Sequence, residues 1–473
     1  MSANPNDKQP VVVAERPTHG DPRPFHFPKF ERSELSNGLG VIAVHLPGRA
    51  LVSASLVLPA GAVDEPAEQG GVTSLMARAL TEGTKHHDAI GLTEAAERLG
   101  ASLHAEAGWD GLSISVDVPA ERLSQALELA AEVAMEPTFP DADVERMRDE
   151  RLNDLLQAKA DPRRRGDDAF VQTIYAEGTP YSRPSAGTED TVPSLNADAT
   201  RALHARLLDP ARMTLIVGGD LDAVGTDVRS IAEARFGAWS PNGSSVAPSK
   251  PSITPARRER LVRVIHRPGA VQTEIRVGHV GLPRLIPDFH AVSVMSAILG
   301  GLFNSRLNRK LREEKGYTYG AGAGFDMRRG PGPFAVRAAV NTEVTVPAIV
   351  DMLAELEKMR SAPPAASELH AARDYLVGVF PLRFETPPAV VGAIAGLLIH
   401  GLPMDELDRY RPSIEAVSDA DVHGVATRHI RPDELAIVLV GDADAILPGL
   451  EGAALGPITV EREELPAADG SAA

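Results

Sequence analysis

Fourteen histidines among 65 aspartates and glutamates are raw material for a metal site, whose chemistry would be to polarise a carbonyl and activate water. Their spacing does not supply one. His86 and His87 are adjacent and point to different faces, His423 and His429 lie six apart, off any common helix face, and neither H-x-x-E-H nor H-E-x-x-H occurs. These imidazoles read as surface or packed residues. The chain has no cysteine, which excludes thiolate zinc sites, cysteine nucleophiles and disulfides. G-x-S-x-G is absent, and the stretches LPAGA and GPGPF lack the lysine and the strand-to-helix setting of a phosphate loop. What remains is LGGLFNSRLNRKLREEKGYTYG, residues 299–320. Two glycines open it, Asn304 or Ser305 can cap a short helix, Leu307 and Leu311 recur at i, i+4 as a buried stripe, and Gly316 supplies the stop. Tyr317 to Phe325 alternates bulky and small residues like a strand closely approached by another segment. By local pattern alone this is a helix–turn–strand corner whose arginines are solvated.

The elements around that corner follow from periodicity. FERSELSNGLGVIAVHL is strand, Asn37-Gly38 turn, strand, and ALVSASLVLPAG is a third strand. Helices are expected at 68–83 and 92–99, then a hairpin of ASLHAEAG and DGLSISVDV, then helices at 120–135, 141–176 and 197–208. A buried strand at 213–220 and a helix ending near Trp239 complete a first half. Residues 240–256, SPNGSSVAPSKPSITPA, are rich in Ser, Pro, Gly and Asn without apolar periodicity and read as a linker. Beyond it, RPDELAIVLVGDADA at 431–445 matches DPARMTLIVGGDLDA at 209–223 with a constant offset of 222 residues. Pro210 pairs with Pro432, Gly219 with Gly441, Asp220 with Asp442 and Asp222 with Asp444. The second half is expected to run through a strand pair, a helix at 288–299, strands within 317–341 and helices at 345–360, 366–380 and 387–401. The fold class is therefore α+β, two homologous domains related by internal duplication, each a mainly antiparallel sheet covered by helices. Expected boundaries are a flexible tail at 1–28, domains at 29–239 and 259–460, a linker at 240–258, and a flexible tail at 461–473.

A chain of 473 residues calls for two large domains or three smaller ones. Its formal charge of -17 argues against nucleic acid as a partner, because phosphate binding rests on clustered Lys and Arg. Arg163, Arg164 and Arg165, and likewise Arg257, Arg258 and Arg260, follow prolines and read as solvated loop charge. No run approaches the ~18 apolar residues of a membrane helix, and the N-terminus carries neither a secretory nor a mitochondrial pattern. A soluble, cytoplasmic protein is expected.

The ordered series SNGLGVIAVHLP, LPAGA, GVTSLMARALTEGT and LGGLFNSRLNRKLREEKGYTYG resembles the insulinase/pitrilysin family of zinc metallopeptidases, over roughly residues 30–455. It is most similar to the two-chain branch that includes the mitochondrial processing peptidase and short bacterial homologues. Active members carry an inverted zinc motif on the first helix, two His ligands and a Glu general base. Aligned through Gly71, Leu80, Gly83 and Thr84, this chain has Ser74 and Arg78 where the His belong and Ala77 where the Glu belongs. The third ligand, a Glu on a later helix, aligns through Asp161-Pro162 with Asp154. Arg78 has no lone pair to give a metal. A fixed positive charge ~4 Å from a dication would add repulsion on the order of 8 kcal/mol at an effective dielectric of ~20.

The resemblance thus implies that this chain binds no metal and that zinc belongs to a homologous partner subunit. It also implies a surviving pair, Arg312 and Tyr319, seven residues apart, which in the family reaches the active site from the C-terminal domain. Guanidinium and phenol can both donate hydrogen bonds to a peptide carbonyl and to its developing oxyanion. The implied function is a non-catalytic subunit of a heterodimeric peptidase acting on peptide substrates. The alternative is a catalytically inactive peptidase-fold scaffold or peptide-binding protein. Tyr317, on the same strand face, packs beside the pair or replaces Tyr319.

Overall fold

The computed structural model describes residues 20, 23–241, 243, 251–256 and 258–462. Most of both expected tails, Arg257 and much of the linker lie outside the described residues. The first half opens with β1 (Phe30–Glu34), β2 (Gly40–His45) and β3 (Leu51–Leu58), followed by α1 (Val72–Ala79) and α2 (Ala89–Arg98). Then come β4 (Ser102–Ala107), β5 (Leu112–Pro119), α3 (Leu123–Met135), α4 (Asp141–Ala160) and α5 (Pro162–Ile174). It closes with α6 (Ala197–Leu207), β6 (Thr214–Gly219), α7 (Leu221–Val224) and α8 (Val228–Phe236).

The second half repeats this plan with β7 (Leu261–His266), β8 (Gln272–Val280), α9 (Phe289–Ser296), the short α10 (Arg306–Asn308), β9 (Ala321–Phe325) and β10 (Pro333–Asn341). Helices α11 (Thr345–Ser361), α12 (Ala366–Val379), α13 (Pro387–His400), α14 (Glu406–Ala416) and α15 (Asp419–His429) follow. It ends in β11 (Ala436–Gly441), α16 (Ala443–Ala453) and β12 (Ile458–Glu461).

The strands form two six-stranded sheets, ordered β1-β2-β6-β3-β5-β4 and β12-β7-β11-β8-β10-β9. Most pairs are antiparallel; β2 with β6, β7 with β11 and β12 with β7 are parallel. The duplication read from the sequence is thus a duplication of sheets, with β6 and β11 in the same place. Alternation builds each core: Val52, Ala54, Leu56 and Leu58 of β3 meet α1 and α3 in the first, and Ile275 and Val277 of β8 meet α9 and α11 in the second.

The other face of each sheet is covered by a helix from the opposite half. Helix α5 packs on β11 and β8, with Ala169, Phe170 and Ile174 against Val438 and Val440. Helix α13 packs on β3 and β6, with Val390, Val391 and Ile394 against Ile42, Val57 and Ile216. These two helices are equivalents. Both begin with a capping side chain and a proline, Asp161-Pro162 and Thr386-Pro387, whose fixed φ suits the first helical position.

Several expectations are corrected. The single helix at 141–176 is two, because Asp161 leaves the helical region and accepts from the Arg163 and Arg164 amides at 2.8 and 3.0 Å. The expected flexible tail at 1–28 is ordered before it ends: Phe27 is 4% exposed and Phe25 stacks on Phe384 with ring centroids 6.1 Å apart. At the other end Glu461, assigned to a tail, belongs to β12 and pairs with Arg263 at 2.6 Å. Tyr317 to Gly320 are not strand, which begins at Ala321. No single described helix is long and apolar enough to cross a membrane.

Candidate functional site

Helix α1 starts at Gly71, whose φ of 99° favours glycine. Its first amides are served by a buried carboxylate, Glu65, that no local motif marks. Glu65 accepts from the Gly71 and Thr73 amides at 3.0 and 2.9 Å and from the Thr73 hydroxyl at 3.1 Å. Arg183 pairs with it at 2.9 Å. Burial pushes the Glu65 carboxyl above the usual range, and Arg183 with the two amides pulls it back. A negative charge at a helix N-terminus is a favourable placement, so this end of α1 is firmly fixed.

The α1 face that the zinc motif would occupy is closed. Ala77 is 1% exposed in the core. Ser74 and Arg78 look toward Met147, Arg148 and Arg151 of α4 across a cavity of about 20 Å³, room for about one water. Arg78 donates to Glu150 at 2.8 Å, and Glu150 also takes Arg146 at 2.7 Å. The Arg78 hydrogen bond, followed by that of Arg146, holds the Glu150 carboxyl below its ordinary range. Asp154 does not face a vacant ligand position. Its oxygens accept from Arg164 at 2.8 and 2.9 Å and from Arg151, and the Arg164 bond in particular lowers its carboxyl. A donor set of hydroxyl, methyl and guanidinium does not fit zinc, and the nearby carboxylates are committed to arginines.

Two other groupings have metal-like composition, His45 with Asp220 and Asp222, and His266 with Asp442 and Asp444. Their atoms are largely engaged by the backbone. His45 Nδ1 accepts from the Leu221 amide at 3.2 Å and His266 Nδ1 from the Ala443 amide at 3.1 Å. Asp220 and Asp442 cap the following helices and accept from the Gly48 and Gly269 amides at 2.9 and 2.8 Å. They are duplicated loop clips.

The corner at 297–320 is built differently. Helix α9 runs into a π-helical turn, Ala297–Gly301, and α10 runs into another, Arg309–Glu314. A Cβ on Gly300 would lie 2.2 Å from the Ala323 amide nitrogen, so only glycine lets β9 approach this closely. Ser305 caps α10, Leu307 and Leu311 are fully buried, and Gly316 stops the turn at φ 65°, as expected from the pattern. Arg306 forms a bidentate pair with Glu368 at 2.9 and 2.7 Å, tying the corner to α12. Asn308 Oδ1 accepts from the Ala321 amide at 2.9 Å and fixes the start of β9.

On this frame the Arg312 guanidinium lies 3.8 Å over the Phe303 ring and its Nε donates to Glu313 at 2.9 Å. Tyr319 is 97% exposed. No hydrogen bond or stacking contact joins the two among the described residues. Tyr317 is half-buried and packs on the second core, so it does not share the setting of Tyr319. Edge strands β4 and β9 each pair on one side only; β4 also contacts α1, and β9 follows directly after Tyr319.

Comparison with known proteins agrees with this architecture. Residues 40–189 match the profile described as insulinase (peptidase family M16), and residues 194–376 match that of the peptidase M16 inactive domain. The chain belongs to the insulinase family. A Mycobacterium leprae protein described as an uncharacterized zinc protease is 26% identical over 317 residues, 65% of this chain and 68% of that protein. The non-peptidase homolog YmxG of Helicobacter pylori is 23% identical over 381 residues, 79% of this chain and 85% of its own length. The crystal structure of a peptidase M16 inactive domain from Pseudomonas fluorescens superposes with a TM-score of 0.79 at 24% identity, covering 87% of this chain and 98% of that one. That of a Helicobacter pylori protease superposes at 0.80 with 18% identity, covering 88% and 100%. These structural likenesses are of fold.

Proposed function

We propose that this chain is the non-catalytic, substrate-binding subunit of a heterodimeric zinc peptidase, with zinc and general base supplied by a homologous partner. The observation that carries the reading is the contrast between an α1 site filled by arginine–carboxylate pairs and a Tyr319 that is 97% exposed and bonds to nothing among the described residues. A phenol held free on a fixed corner is suited to donate to a peptide carbonyl belonging to an external substrate. The free edges of β4 and β9 suit an extended peptide added as a further strand. Mixed with its zinc-bearing partner, the Tyr319→Phe variant is expected to lower kcat by ~10²-fold or more, measured on a peptide library; an unchanged kcat would remove the assigned role.

One observation favours the second reading, an inactive scaffold. Arg312 is already engaged by Phe303 and Glu313 and would have to leave them to reach a substrate. The Glu313→Gln variant separates the two. Under the peptidase reading it frees Arg312 and lowers KM in the mixed enzyme, whereas a scaffold yields no cleavage with or without the substitution.

A further inference from the structure

The first sheet turns a polar face away from its core, and α13 covers only part of it. Helix α13 lies on β3 and β6, leaving a groove of about 640 Å³ whose floor is β3, β5 and β4. Four serines line that floor, Ser53 and Ser55 on β3 and Ser113 and Ser115 on β5. The wall is the stripe Pro388, Val391, Gly392, Ala395 and Ile399 of α13. One end is closed where Gly111 meets Ile399, an added Cβ lying 2.5 Å from the isoleucine Cδ1, and where Arg328 from the second half lies 5.0 Å over Trp109.

Ser55 and Ser115 bond to each other across this floor at 2.9 Å, but other polar groups of the groove are buried without a partner. Ser53 is 4% exposed and makes no hydrogen bond through its hydroxyl among the described residues. Asp117 Oδ1, Arg328 Nη1 and His400 Nδ1 are buried atoms without a partner, and all three residues line this groove. A buried polar atom left unpaired is costly; a cationic donor entering the groove completes Asp117 Oδ1 and His400 Nδ1, whereas Arg328 Nη1, itself a donor, gains nothing from it.

The charges decide what that is. Asp110 is used by the Tyr181 hydroxyl at 2.9 Å and the Arg329 amide at 2.8 Å, and Asp326 by Arg328 at 2.6 Å. Glu106 and Asp117 have no ion-pair partner among the described residues; His104 is the remaining titratable group on the floor. Glu106 stands opposite Ser113, and Asp117 is four residues further along β5, which puts the two carboxylates about 14 Å apart at Cα. Between them runs the aliphatic stripe of α13. The backbones of β3 and β5 are paired on both sides, so the middle of the floor offers no free amide to a peptide main chain; the free edge of β4 lies at its border.

We propose that this groove binds a linear polyamine, its terminal ammonium groups on Glu106 and Asp117, its methylene chain along α13 and its inner nitrogen over the serine floor. The site lies on the sheet face opposite α1 and does not depend on a peptidase partner. Burial lowers the His400 imidazole below its usual range, leaving it neutral and able to accept from an ammonium.

Isothermal titration of the full chain with spermidine tests this. One site is expected, weakened at least about tenfold in the Glu106→Gln/Asp117→Asn double variant. Gly392→Trp should weaken it comparably, since a Cβ at Gly392 meets nothing within 4 Å and the indole fills the groove without disturbing the helix. A control pair of exposed residues, Glu68→Gln with Glu415→Gln, changes net charge equally and should bind as the parent does. An α,ω-diaminooctane should bind and the matching octanediol should not. The proposal is overturned if spermidine does not bind at millimolar concentration, if the control pair weakens binding as much as the groove pair, or if a dilysine peptide binds there and spermidine does not. Unaltered melting temperatures confirm that the variants are folded, and should Gly392→Trp fail to fold, the double variant decides alone.

Discussion

The two roof helices, α5 over the second sheet and α13 over the first, occupy equivalent places and are held by different forces. Beneath α5 lies Arg276, its side chain 2% exposed, paired with Asp167 at 2.6 Å and Glu274 at 2.8 Å and donating to the Arg163 carbonyl at 3.1 Å. Arg263 adds bonds to the Ala169 carbonyl and the Thr173 hydroxyl at 3.1 and 2.9 Å. Beneath α13 the contacts are apolar, Val390, Val391 and Ile394 on Ile42, Val57 and Ile216. Directional bonds fix a helix in one orientation and leave its seat full, whereas apolar contact holds only the stripe that touches. The polar roof is a clamp, and the apolar one leaves a groove beside it.

The largest effect that would break this contrast is at the clamp. Arg276→Ala strands Glu274 and leaves Asp167 with Arg337 at 3.5 Å; breaking a buried pair costs up to ~5 kcal/mol, and because Asp167 is half exposed and keeps that partner we expect about 3 kcal/mol, read by urea unfolding. Ile394→Ala, from a fully buried position on the other roof, is expected to cost about 2.5 kcal/mol. A loss at Arg276 smaller than at Ile394 would reverse the assignment of clamp and apolar seat.

Acid should divide the halves further. His279 of β8 donates from Nδ1 to the Val280 carbonyl and accepts at Nε2 from the Arg431 amide, and burial, with Arg431 beside it, pushes its pKa down to about 3. The unfolded chain binds this proton near pH 6.5 and the folded one does not until about 3. Stability from this residue is therefore full above pH 6.5 and falls by about 1.4 kcal/mol per unit as pH drops through that window. His279→Gln should flatten that part of the stability–pH curve. The smallest effect is expected at the closed α1 site: Arg78 and Glu150 are both half exposed, so Arg78→Ala should cost less than about 1 kcal/mol, and a larger loss would make that pair a structural keystone.

Local signals carried much of the fold. Asn37-Gly38 made its hairpin, with Asn37 donating to the Phe236 and Trp239 carbonyls at 2.8 and 3.0 Å, and the 222-residue offset located β6 and β11. Ser305, Leu307, Leu311 and Gly316 were legible because cap, stripe and stop depend on near neighbours. What escaped was non-local or locally contradictory. Pro412 and Pro448 lie inside α14 and α16, where a proline ordinarily argues against helix. The π-helical turns that hold Arg312 have no residue signature, so alternation alone predicts a strand through Tyr317 and Tyr319 where none forms. Ser74, Ala77 and Arg78 are legible as residues that do not suit zinc, but the pairing of Arg78 with Glu150, 72 residues away, and the engagement of the Asp154 carboxylate by Arg164 are not. Nor is Glu65, whose partners include Arg183, 118 residues on.

The exchange of α5 and α13 bears on how such a chain can arise. A single half with its roof helix lying elsewhere would expose one full face of its sheet, and two identical halves would cover each other reciprocally. The geometry is that of a symmetrical dimer written into one polypeptide, each half roofing the other's sheet while its remaining surface is free to differ.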